Sequence, residues 1–188
     1  MAKPTVKNIA VPSIVLVVIC LVISAALAFT NDITKDKIAE NDKKNSNAAM
    51  AEIFTDKGTE FSEGDPIKLN EAEYAYSVAS VNGEIVGYVF TTATSGYGGE
   101  VRVMTGVNAD GTVKAIKILS VADETPGLGQ AATKPEFTEQ FSGKSGVIST
   151  EKNKDVDALT GATITTKAVI NDVNTALKLY EEVKGGNK

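Results

Sequence analysis

Hydrophobic and polar positions change rhythm along the chain. Ile9 to Phe29 form a run of about 21 residues without a charge, long enough for a helix to span a bilayer. Lys3 and Lys7 precede the run, while the mixed set Asp32, Lys35, Asp36 and Lys37 follows it. That bias reads as a single-pass membrane anchor with its N-terminus in the cytoplasm and the remaining chain outside. The rival reading is a cleaved signal peptide, because Ala26-Leu27-Ala28 resembles a cleavage site. The run, however, exceeds the usual apolar core of such a peptide, about 7–15 residues. From Thr34 to Phe54 polar residues dominate, with Ile38, Ala48, Ala49, Ile53 and Phe54 interspersed. This reads as a helical stalk. Asp56 to Pro66 is rich in glycine and acidic residues and reads as a loop.

Beyond Pro66 the period drops to two. Tyr74–Ser80, Glu84–Thr92, Glu100–Asn108 and Thr112–Val121 alternate as strands do. Asn82-Gly83 and Asp110-Gly111 are hairpin turns between them, and SGYGG (Ser95 to Gly99) interrupts the second and third. Lys134 to Phe141 suggests a short helix, with Phe137 and Phe141 one turn apart. Val169, Val173, Ala176, Leu177 and Tyr180 then line one face of a helix that starts near Ala162 and ends at Gly185-Gly186. The expected class is α+β: one N-terminal transmembrane helix, then an antiparallel β-sheet domain with flanking helices on one side of the meander. The expected divisions are an anchor over residues 1–30, a stalk over 31–66 and a globular domain over 67–184.

Composition removes whole chemistries. The chain of 188 residues has no histidine, so histidine-ligated metals and histidine-based triads are excluded. Its one cysteine, Cys20, lies in the apolar run, which excludes an intrachain disulfide and a cysteine-held iron–sulfur cluster. No metal site is expected, and redox work would need an organic cofactor. Net charge is −5, although the first thirty residues hold two lysines and no acid. The acidic body offers no basic face for nucleic acid.

Candidate chemistry is concentrated in small-residue stretches. Asp157 to Thr166 reads DALTGATITT, just ahead of the last helix. A helix N-terminus presents free backbone N–H groups and the positive end of the dipole, and Gly161 and Ala162 leave room for a close approach. With the threonine hydroxyls this makes a phosphate seat. The plainer reading is capping by Thr160 or Thr163, which needs one hydroxyl and no acid at a set distance ahead. Asp123 to Gln130, DETPGLGQ, follows a strand and is poor in side chains, with Leu128 at its tip and Glu124 and Thr125 as polar groups.

Taken in order, GYGG, ADGTV, ETPGLG and DALTGAT, closed by a helix, resemble the FMN-binding domain of the G subunit of Rnf complexes. The C subunit of Na+-translocating NADH:quinone reductase shares this pattern. The resemblance covers roughly Tyr74 to Leu179. Its most specific element is the flavinylation motif D-x-x-[S/T]-G-A-[S/T], matched by Asp157, Thr160, Gly161, Ala162 and Thr163. It implies that an exported flavin transferase, using FAD, joins FMN through a phosphoester to Thr163. Asp157, Gly161, Ala162 and Thr163 would be the residues that enzyme recognises, with Thr160 and Thr165 near the phosphate. Glu124, Thr125, Gly127, Leu128, Tyr97 and Gly98 would lie near the flavin ring. Family members often carry histidine two residues before the loop glutamate, where this chain has Ala122. The implied role is a membrane-bound electron relay among the other Rnf subunits, in ferredoxin:NAD+ oxidoreduction coupled to Na+ or H+ movement, with no catalytic residue of its own. The alternatives are the quinone-reductase C subunit, a membrane-anchored flavin or ligand sensor, and a structural surface module.

Overall fold

The computed structural model describes residues 6–70, 72–121, 123–150 and 155–186. Ala122 therefore lies outside the described residues. The chain divides into two compact units, Met1–Lys44 and Asn45–Lys188. Helix α1, Val6–Ile53, runs through the first and ends in the second. Among the described residues it is the helix long and apolar enough to cross a membrane, and Ile14, Leu16, Leu21, Val22, Leu27 and Phe29 along it are exposed.

Among its described residues the second unit is built on seven strands: β1 Thr59–Glu63, β2 Ile67–Leu69, β3 Ala72–Tyr74, β4 Tyr76–Val81, β5 Glu84–Ser95, β6 Glu100–Asn108 and β7 Val113–Ser120. Five of them form one antiparallel sheet in the order β1-β4-β5-β6-β7, and β2 and β3 pair separately. Asn82 and Gly83, at φ 52° and 84°, form the two-residue turn from β4 to β5 that the Asn-Gly pair demands. Gly111, at φ 90°, turns β6 into β7, and Asp110 fixes that turn by accepting from the Thr112 N–H at 2.9 Å and its hydroxyl at 2.7 Å. SGYGG becomes a hairpin loop: Ser95 pairs with Glu100, and the Gly96 N–H donates to the Gly99 carbonyl at 2.7 Å.

Helix α3, Thr163–Gly186, lies on one face of the sheet, with the short α2, Pro135–Thr138, and a 3-10 turn, Glu139–Phe141, beside it. The apolar stripe of α3, Val169, Val173, Ala176, Leu177 and Tyr180, meets Phe90, Val101, Val103 and Val107 of β5 and β6 in the main core. Tyr180 also donates its hydroxyl to the Ala109 carbonyl at 2.7 Å. Tyr180→Phe is expected to cost about 1 kcal/mol, the usual net worth of such a bond, seen as a lower denaturant midpoint at unchanged slope.

Three expectations need correction. The opposite face of the sheet is covered as well: Ala49 and Ile53, from the end of α1, and Phe54 just after it pack against Ala79, Val89 and Met104. Gly87 and Gly106 make room for them, since a Cβ on Gly106 would stand 2.2 Å from Ile53 Cγ2. Asp56–Pro66 is not all loop, because β1 pairs with β4 along its whole length, so residues assigned to the stalk belong to the globular unit. Finally, the strand expected at Tyr74–Ser80 is broken at Ala75, with β3 turned into the small sheet and β4 into the large one.

Candidate functional site

Three backbone segments converge at one end of the sheet. The Gly96–Gly99 hairpin loop follows β5, the Asp123–Leu128 loop follows β7, and Gly161–Thr165 opens α3. Between them is a cavity of about 480 Å³ lined by Tyr97, Glu124, Thr125, Leu128, Gly129, Gly161, Ala162, Thr163, Ile164 and Thr165. Its size falls in the range of small-molecule and cofactor sites.

The start of α3 supplies the polar wall. Its first bond runs from the Thr166 N–H to the Ala162 carbonyl at 2.9 Å, so Ala162 holds the cap position and has no side-chain oxygen to cap with. The backbone N–H groups of Thr163, Ile164 and Thr165 are left outside the helical ladder, at the positive end of the dipole. Neither Thr160 nor Thr163 caps. The threonine that secures this turn is Thr166, whose hydroxyl donates to the Ala162 carbonyl at 3.0 Å and accepts from the Leu159 N–H at 3.1 Å. Thr163 is exposed beside the unladdered N–H groups. Gly161, at φ 75°, makes the turn that brings the segment against Leu128.

Glu124 ties the three segments together. It is 3% exposed. Its Oε1 accepts from the backbone N–H of Tyr97 at 2.7 Å and of Gly98 at 3.2 Å, and its Oε2 accepts from the Thr165 hydroxyl at 2.7 Å. Glu124 and Thr165 both line the cavity, and the bond between them also makes the carboxylate a clamp inside the protein. Glu124→Gln keeps an acceptor for the hairpin loop and an N–H toward Thr165, so it is expected to fold with a loss of about 1 kcal/mol. Glu124→Ala leaves three donors unpaired and is expected to cost about 2–3 kcal/mol. Chemical denaturation of the two variants side by side checks the difference.

The remaining expected residues divide cleanly. Tyr97, Thr125, Leu128, Gly161, Ala162 and Thr163 come together at the cavity, and Tyr97 and Leu128 are exposed there as apolar surface. Gly127, Gly98, Thr160 and Asp157 do not line it. Gly127, at φ 78°, turns the loop. A Cβ on Gly98 would lie 1.9 Å from the Asp123 carbonyl oxygen, so this glycine lets the two loops touch. Thr160 is exposed in the turn before α3. Asp157 is exposed, with its N–H donated to Gln140 Oε1 at 2.7 Å.

Two lining residues were not among the expected site residues, although Gly129 belongs to the glycine loop that the sequence marked. Gly129 is buried, and a Cβ there would lie 2.3 Å from Glu124 Oε2 and 2.9 Å from Thr165 Oγ1, inside the clamp. Ile164 is exposed at the cavity. Its signal was available: it is an apolar residue lying off the buried stripe of its helix.

Known proteins match this architecture. An FMN-binding domain family model matches residues 96–178, and a model of the RnfG N-terminal region matches residues 1–53. The G subunit of the Na(+)-translocating ferredoxin:NAD(+) oxidoreductase complex of Acetobacterium woodii is 36% identical over 191 residues, covering 90% of each chain. Its counterpart in the proton-translocating ferredoxin:NAD(+) oxidoreductase complex of Clostridium ljungdahlii is 31% identical over 176 residues, covering 91% of each chain. The crystal structure of Shewanella oneidensis NqrC shares the fold, with a TM-score of 0.50 at 20% identity over 60% of this chain and 62% of that one.

Proposed function

This chain belongs to the G-subunit family of Rnf-type ion-translocating ferredoxin:NAD+ oxidoreductase complexes, and we propose that it relays electrons through an FMN bound covalently to Thr163. The observation that carries this reading is the pairing of an exposed Thr163 hydroxyl with three unladdered N–H groups at the wall of a cofactor-sized cavity. A phosphate ester on Thr163 would put its negative charge where those donors and the helix dipole stabilise it.

Attachment balances as a transfer from FAD. The Thr163 oxygen bonds to the FMN phosphorus, the anhydride bond to the adenylate breaks, AMP leaves and the hydroxyl proton goes to a base. An unassisted threonine alcohol is a weak nucleophile, so an exported flavin transferase supplies that base. The exposed Asp157, Thr160, Gly161 and Thr163 present the motif such an enzyme would read. Bound FMN supplies one-electron chemistry. The protein's part is to hold the phosphate at α3, to bracket the ring with Tyr97 and Leu128, and to keep the cavity rigid through Glu124. Residues 1–30 act as the anchor and the globular domain is extracytoplasmic. The other Rnf subunits provide the neighbouring redox centres, and the coupling ion, Na+ or H+, is set elsewhere in the complex.

The test is the intact mass of the denatured chain isolated from native membranes, with in-gel flavin fluorescence. The expected increment is FMN less water, about 438 Da. An unmodified mass from cells that hold the transferase refutes the covalent relay.

A further inference from the structure

Asp172 takes no part in the cavity, yet it is the buried acid that the fold treats least generously. It is 1% exposed on α3. The Thr94 hydroxyl of β5 donates to its Oδ1 at 2.8 Å, and the Thr92 hydroxyl donates to its backbone carbonyl at 3.2 Å. Its Oδ2 is buried without a partner. An ionised carboxylate with one oxygen unpaired in a core is costly, and protonation relieves that cost.

No cation offsets it among the described residues. From β5 it meets the neutral Thr92 and Thr94, and β6 contributes the buried, apolar Val101 and Val103. Glu100, at the start of β6, adds a like charge, while Arg102 alternates to the other face of β6 from Val101 and Val103. On α3 itself, Lys167 and Lys178 stand five and six residues away, off the Asp172 face. Burial, opposed by the two threonines and aided by Glu100, pushes the Asp172 carboxyl up to about 7.

Two further features give this acid a use. Solvent is one hydroxyl away: the half-buried Thr94 also accepts from the side-chain amide of the exposed Asn171 at 3.2 Å. The cavity is two helical turns away: Thr165 precedes Asp172 by seven residues on the same helix, about 10 Å along its axis. Ala168 and Val169 between them are buried, so a charge placed in the cavity is weakly screened at Asp172.

Resting on the flavin reading of the cavity, we propose that Asp172 is a proton-uptake group coupled to the flavin. Its Oδ2 binds a proton from solvent as one electron enters the flavin from a one-electron donor of the complex. It returns the proton as that electron leaves. The electron stays on the flavin and the proton on the carboxyl, so no bond to the cofactor changes.

The experiment is a redox titration of the flavinylated full-length protein across neutral pH, with redox-difference infrared spectra. Wild type should show a bend in flavin midpoint potential near pH 7, with a protonated-carboxyl band that grows on reduction. Asp172→Asn should lose both while keeping its flavin. Thr94→Val, which removes a donor to the anion, should keep the bend and move it to higher pH; it carries the test if Asp172→Asn fails to fold. A flavin-bearing wild type without a bend or a carboxyl band overturns this inference alone. A bend that persists in Asp172→Asn, or stays in place in Thr94→Val, does the same. A wild type that never acquires flavin overturns both this inference and the relay.

Discussion

Replacing Thr163 by alanine is expected to abolish flavin attachment altogether, because under the proposed linkage the neighbouring threonines cannot take over the ester bond. Thr160 and Thr165 both lie within three residues but are no substitutes. Thr165 has its hydroxyl proton committed to Glu124 at 2.7 Å and is 1% exposed, while Thr160 does not line the cavity. Thr163→Ser retains a hydroxyl at the same Cβ and should still be modified. Thr160→Ala should weaken recognition without abolishing it. The readout is the flavin mass increment on the denatured chain after co-expression with a flavin transferase. The protein itself should remain folded, since Thr163 is exposed and its side chain holds nothing in place. Retention of full flavin in Thr163→Ala would move the attachment point to another hydroxyl.

The second large effect is a loss of stability with rising pH. The Asp172 carboxyl is raised from 3.8 to about 7 in the folded protein, chiefly by burial. Between those values the folded state holds a proton that the unfolded state has released. The contribution of Asp172 to stability is therefore greatest near the lower end, falls as pH rises through this window, and levels off above about pH 7. The size of the shift corresponds to a loss on the order of 4 kcal/mol across the window. Asp172→Asn should flatten the slope. Denaturant unfolding between about pH 4 and about pH 8 measures it, and equal slopes in the two proteins would show that Asp172 ionises freely.

The parts of the fold that were legible in the sequence are those where one residue type has one conformational use. Asn82-Gly83 announced its turn because both positions need positive φ. The α3 stripe announced itself because every member is buried against one surface. Strand β1, TEFSE, did not. As an edge strand it packs only Phe61 among charged and small neighbours, which leaves no alternation to read. Strands β2 and β3 have three residues each, too few to establish a period. At the site, the threonine turn and the glycine loops were visible as motifs. The division of labour within them was not. Glu124 and Thr165 look like ligand-facing groups until the hairpin loop arrives with two N–H groups that need an acceptor. That loop lies 27 residues away from Glu124, and only the β5–β6–β7 register brings it there.

The end of α1 decides where this protein can be cut. A fragment starting at residue 67 matches the boundary suggested by composition, yet it discards β1 together with Ala49, Ile53 and Phe54. Val89 and Met104 would then face water beside a β4 edge with no partner strand, and Gly106 would leave a dent where Ile53 sat. Molecules with such an open edge and apolar strip join edge to edge. A soluble fragment that begins at Asn45 keeps both the edge and the strip covered, and is the one to carry into crystals.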